Sequence, residues 1–115
     1  MPVPPRIYHI AERARWAGEA DYVPDGYAAE GFIHCSNAAQ VDRVAAERFT
    51  GRDDLVLLTI RTAGLGEALV YENTEGGDEL FPHLYRPLRR AEVERVMPMR
   101  PRPDGGFDPL VPTKR

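Results

Sequence analysis

Apolar positions along the chain fall into short runs separated by Gly- and Pro-rich punctuation, with one longer helical stripe between them. Residues 6–10 (RIYHI) are rich in β-formers and predict a first strand. Residues 11–17 (AERARWA) predict a short helix, ended by Gly18 in the left-handed conformation. Pro24-Asp25-Gly26 predicts a turn, because Pro presets φ and Gly accepts positive φ. Residues 31–35 (GFIHC) predict a second strand. Residues 37–49 predict the main helix. Asn37 with Gln40 three positions on has the pattern of a capping box, with Ser36 the rival cap. Val41, Val44, Ala45, Arg48 and Phe49 fall on one stripe, Arg48 snorkelling at its edge. Residues 55–60 (LVLLTI) form an unbroken apolar run between turn signals, which predicts a central strand buried on both faces.

Residues 69–73 (LVYEN) predict a fourth strand, and the Gly-rich stretch 74–78 a loop. Residues 80–85 (LFPHLY) read as a strand that Pro82 confines to an edge, since Pro cannot donate to a ladder. For 91–97 (AEVERVM), Val93 and Val96 suit a helix, while the Pro-bounded VERVMPM suits a last strand; the strand is preferred. The final 18 residues, 98–115, hold five prolines and predict a tail extended over the surface or frayed. The order β-α-β-α-β-β-β-β is that of an α+β domain, with two early helices and then mostly strands, and βαβ alternation does not continue.

At 115 residues the chain suits one domain, 1–115, with a folded core over 6–97 and the Pro-rich tail beyond it. Its 43% hydrophobic and 29% charged content excludes disorder throughout. The net charge of −3 argues against non-specific nucleic-acid binding, which needs a broad basic surface. No apolar run approaches the ~20 residues of a membrane span. The opening MPVPPRIYHI has no secretory h-region. With Cys35 alone, no intrachain disulfide forms. A cytoplasmic address is therefore the expectation.

The three histidines carry the chemical interest. Each lies in an apolar segment: Tyr8-His9-Ile10, Ile33-His34-Cys35 and Pro82-His83-Leu84. An imidazole donates at one nitrogen and accepts at the other, which suits ligand orientation or proton transfer; the competing reading is three satisfied core residues. No H-x-H, H-x-x-H or H-E-x-x-H spacing occurs, so no metal is expected and a three-histidine metal hydrolase is a remote alternative. Cys35 beside His34 points to the opposite strand face, which makes a thiol–imidazole dyad geometrically poor. Glu72 and Glu79 are the carboxylates nearest a histidine site, able to hold a ribose hydroxyl or stabilise positive charge. Ser36, where the second strand opens into a helix, and Arg86, with Arg89 and Arg90 behind it, are candidate anion holders. There is no dinucleotide or P-loop glycine motif.

The segments IYHIA, GFIHCS and ELFPHLYRPL resemble a family of small bacterial proteins grouped as domain of unknown function family 952, over about residues 7–97. The resemblance implies an ADP-ribosyltransferase-like fold, which includes RNA 2′-phosphotransferases and mono-ADP-ribosylating toxins. It further implies a split, mainly antiparallel sheet whose cleft takes NAD. On that resemblance His9 holds the first-strand position and His34 the second, while Glu72, Glu79 and His83 compete for the third. The expected functions are an NAD-dependent ADP-ribosyl or RNA 2′-phosphate transferase-like enzyme or, in its place, a non-catalytic nucleotide or small-anion module. His9, His34, Ser36 and Arg86 are then the expected cofactor contacts.

Overall fold

A computed structural model describes residues 3–111. Among the described residues, six strands form two antiparallel three-stranded sheets. They are β1 (Arg6–Glu12), β2 (Ile33–His34), β3 (Leu55–Arg61), β4 (Leu69–Glu72), β5 (Phe81–Leu84) and β6 (Val93–Pro98). One sheet runs β1-β3-β6 and the other β2-β5-β4. The helices are α1 (Arg13–Trp16), α2 (Tyr27–Glu30) and α3 (Ala38–Arg48). This is a single α+β domain, as its element order predicts.

The apolar run 55–60 behaves as its pattern requires. Side chains alternate across a strand, so Val56, Leu58 and Ile60 join Ile7, Ala11, Ile33 and Leu84 in a core between the sheets. Leu55 and Leu57 join Tyr8, Val41 and Ala45 of α3 on the opposite face. Register supports both layers: Ile7 pairs with Ile60, His9 with Leu58 and Ala11 with Val56. α3 begins at Asn37, whose N–H donates to Gln40 Oε1 at 2.9 Å, as the capping pattern predicts. Gly26 sits at φ 86°, the positive value expected at the Pro24-Asp25-Gly26 turn. The strand preferred for 91–97 is present from Val93, as β6, while Ala91 and Glu92 belong to a 3-10 turn, Arg90–Glu92.

Several expectations are corrected. Ala11 and Glu12 extend β1, so the helix predicted over 11–17 shrinks to Arg13–Trp16. Strand pairing to Val56 and Leu55 outweighs the helical preference of Ala and Glu there. Gly18 is not left-handed, and α1 closes through Ala17 in the right-handed region. The one-turn α2 has no counterpart in the sequence reading; Gly26 and Gly31, both left-handed, bracket it. Pro82 does not mark an edge, because β5 is the central strand of its sheet. The Pro82 carbonyl accepts from Cys35 N–H at 3.0 Å, but its nitrogen returns nothing. The β2–β5 ladder accordingly stops at His34 and His83, and the chain crosses to β1. Nor do 99–111 fray: Met99, Phe107 and Leu110 are buried against α3 and β3. Residues 112–115 of the predicted tail lie outside the described residues.

The backbones of the two sheets join where β1 passes the end of β2. Tyr8 and Ser36 exchange backbone hydrogen bonds of 2.8 and 2.7 Å, an isolated bridge between β1 and the end of β2. Beyond it the backbone ladder gives way to a side chain: His9 Nδ1 reaches the His34 carbonyl at 2.5 Å. A cleft opens at this split.

Candidate functional site

Alternation decides which side chains the second sheet presents. Ile33, Cys35, Pro82 and Leu84 face the core and are buried. Phe32 and His34, Phe81, His83 and Tyr85, and Val70 and Glu72 therefore share the other face, because paired residues across a ladder point the same way. His34 pairs directly with His83, and their rings meet edge to face with centroids 5.1 Å apart. Phe32 stacks on His83 at 4.1 Å and 14°, locking its ring plane.

A cleft of about 300 Å³ is lined by His9, His34, His83, Glu72 and Tyr22, with apolar walls from Ile10, Val44, Phe49 and Phe81. The three histidines, distant in sequence, thus open into one space. Their chemical states differ. Because a carbonyl only accepts, His9 Nδ1 carries the proton given to His34 O, and Nε2 accepts from the Tyr22 hydroxyl at 2.8 Å. Both nitrogens are occupied, and burial pushes the His9 pKa down to about 4, so the ring is neutral near pH 7. His34 is half-exposed and donates from Nε2 to the Glu30 carboxylate, 3.1 Å away. His83 is buried, and its Nδ1 donates to Glu72 Oε2 at 2.8 Å. The Tyr85 hydroxyl donates to the same oxygen. These two bonds, Tyr85 first, hold the Glu72 carboxyl below its ordinary value. Among the described residues, His83 Nε2 has no hydrogen-bond partner, and no fully buried side-chain nitrogen or oxygen lacks one, so Nε2 reaches solvent.

Residues 7–96 match the family model described as a protein of unknown function, DUF952. The chain belongs to the DUF952 family. It is similar to protein CC0527 from Caulobacter crescentus. Against the crystal structure of CC0527 the identity is 38% and the TM-score 0.80, covering 90% of this chain and 93% of that one. Against its solution NMR structure the values are 39% and 0.76, covering 90% and 91%. No curated protein matches the chain.

Not every candidate of the DUF952 chain reaches the cleft. Glu79 lies outside it, tied to Gln40 Nε2 at 3.0 Å and to Arg43, and braces the 73–79 loop on α3. Ser36 is buried and outside the lining, used by its backbone at the Tyr8 bridge. Arg86 is directed elsewhere, with its guanidinium on Glu92 at 2.6 Å. Cys35 is buried at the cleft floor, where burial raises its thiol pKa to about 12 and leaves it protonated and inert. Several lining residues were not legible as site residues in the sequence, among them Tyr22, Glu30, Arg48 and Glu75. Glu30 had a signal, lying four residues before His34. Tyr22 had none, since it comes from a loop held by its backbone pairing with Leu88. Among the described residues, no His, Cys, Asp and Glu cluster is suited to a metal ion, and no helix is long and apolar enough to cross a membrane.

Proposed function

We propose that the cleft binds the nicotinamide–ribose end of NAD and supports transfer of the ADP-ribosyl group, with His83 as proton acceptor. The observation that carries this reading is the His83–Glu72 pair. Glu72 fixes the tautomer by accepting from Nδ1, which leaves Nε2 as the nitrogen able to take a proton. At about 300 Å³ the cleft is at the lower end for a small-ligand pocket. It encloses the nicotinamide nucleoside half and leaves the remainder along the rim. Its lining mixes carboxylates (Glu30, Glu72, Glu75) with arginines (Arg15, Arg48, Arg52), which suits a ligand with a cationic ring and an anionic diphosphate.

The chemistry balances as follows. The bond from ribose C1′ to the ring nitrogen breaks, and its electron pair leaves with neutral nicotinamide. Positive charge grows on the ribose, beside the Glu72 and Glu30 carboxylates. An acceptor O–H or N–H attacks C1′ and passes its proton to His83 Nε2, and Glu72 stabilises the imidazolium through Nδ1. In this reading His9, with both nitrogens engaged, positions Tyr22 and the β1–β2 split.

The test is nicotinamide release from NAD, followed by chromatography, with calorimetry for binding. His83→Ala should lower the rate by about 10²-fold or more. Binding without release assigns the cleft to a nucleotide-binding module, the reading that the engaged His9 favours. Absence of NAD binding at millimolar concentration removes the nucleotide altogether.

A further inference from the structure

A nucleotide needs phosphate donors, and the two expected from sequence, Ser36 and Arg86, lie outside the cleft. Four arginines line it instead: Arg15, Arg43, Arg48 and Arg52. They differ in how firmly they are held. Arg52 grips Asp54 through two nitrogens and also reaches Glu12 at 2.9 Å. Arg15 donates to the Val23 carbonyl and pairs with Asp25. Arg43 is shared between Glu47 and Glu79. Among the described residues, Arg48 has a single hydrogen-bond partner, Glu75 Oε1 at 2.8 Å.

Both members of that pair are more than half exposed, at 52% and 58%. Their separation is therefore easy: an exposed pair is worth roughly fivefold or less in an equilibrium. Glu75 sits near the tip of the 73–79 loop, whose base is fastened by Asn73 to Glu75 N–H, Gly77 N–H and the Glu79 carbonyl. The loop backbone can stay in place while the Glu75 side chain swings. Arg48 holds the Glu75 carboxyl below its ordinary value, and His34 and His83 act on it in the same sense more weakly. Glu75, His34 and His83 line the same cleft. Arg48 itself leaves the last turn of α3, beside Phe49 and Val44 of the cleft wall.

We propose that Arg48 is the diphosphate-binding group of the cleft, and that the Glu75 carboxylate is a placeholder which the diphosphate displaces. This assignment deepens the nucleotide reading and rests on it for the identity of the ligand. A guanidinium binds a phosphate through two parallel N–H bonds, which a swinging carboxylate on an exposed pair does not match in strength.

The probes are inorganic pyrophosphate, ADP-ribose and nicotinamide riboside, titrated calorimetrically into wild type, Arg48→Gln and Glu75→Gln. Melting temperatures serve as a folding control; both side chains are exposed and should leave them unchanged. Arg48→Gln should weaken pyrophosphate and ADP-ribose about tenfold to a hundredfold, with nicotinamide riboside unaffected. Glu75→Gln should strengthen the two phosphate ligands severalfold, because their competitor loses its charge. Equal binding of pyrophosphate by wild type and Arg48→Gln overturns the proposal, as does no gain in Glu75→Gln, or no pyrophosphate binding by any of the three proteins. NAD binding that is indifferent to Arg48 sinks this subsite and leaves the nucleotide reading standing. Pyrophosphate binding that depends on Arg48, without NAD binding, does the reverse.

Discussion

The two sheets share an architecture and differ in what their faces do. In β1-β3-β6 the central strand is buried from Leu55 to Ile60, five apolar residues and Thr59, with hydrophobic layers on both sides. In β2-β5-β4 one face joins the core, while the other carries His34, His83 and Glu72 into a cleft. The first sheet is a support whose stability comes from apolar burial. The second spends half its surface on polar groups, and β2 is only two residues long. Such a face remains ordered because Phe32 stacks on His83, and because every carboxylate and imidazole described on it has a hydrogen-bond partner.

The contrast breaks if truncation costs the same in both sheets. Leu58→Ala removes a fully buried side chain at the centre of β3 and should lower unfolding free energy by about 2–5 kcal/mol. Val70→Ala on half-buried β4 should cost roughly 1 kcal/mol or less. Urea unfolding of both variants measures the difference, and equal costs would mean that the second sheet is as much a core as the first.

Acid sharpens the comparison at the split. His9 has its pKa lowered by burial to about 4 in the fold, against about 6.5 in the unfolded chain. Between those values the unfolded chain binds more protons, so stability rises with pH there. It is fully present above about pH 6.5 and is lost as pH falls toward 4, by about 3 kcal/mol. Unfolding followed from pH 7 to pH 4.5 should show this slope in wild type. His9→Gln should be less stable at pH 7 and flatter across the window; an unchanged slope assigns the acid sensitivity elsewhere.

The last comparison sets stability against ligand affinity, at Arg86. Its guanidinium and Glu92 are 24% and 15% exposed and share two hydrogen bonds. Arg86→Ala strands a partly buried carboxylate and should cost about 1–3 kcal/mol of stability. Ligand affinity at the cleft should not change. A weakened nucleotide affinity with unchanged stability would return Arg86 to the site.

Much of the scaffold follows from the sequence alone. The run LVLLTI had to be a central strand, because a strand with one solvated face does not carry apolar side chains at successive positions on both faces. Asn37 and Gln40 set the start of α3 through bonds spanning three residues. Period-two alternation in FIHC and FPHLY put His34 with Phe32, and His83 with Phe81 and Tyr85. These are local relations, and local chemistry is enough to decide them. What the tertiary structure alone decided is long-range. The placement of Pro82 at the centre of a sheet depends on where the β2 ladder ends and the chain crosses to Tyr8. The burial of Phe107 and Leu110 depends on an apolar face of α3 that a Pro-rich tail can cover. Three histidines separated by as many as 74 residues meet because register pairs His34 with His83 and the split brings His9 to the His34 carbonyl. That Arg48 lines that space and Arg86 does not turns on which carboxylate each guanidinium finds, and pairing across distant segments is written in no local pattern.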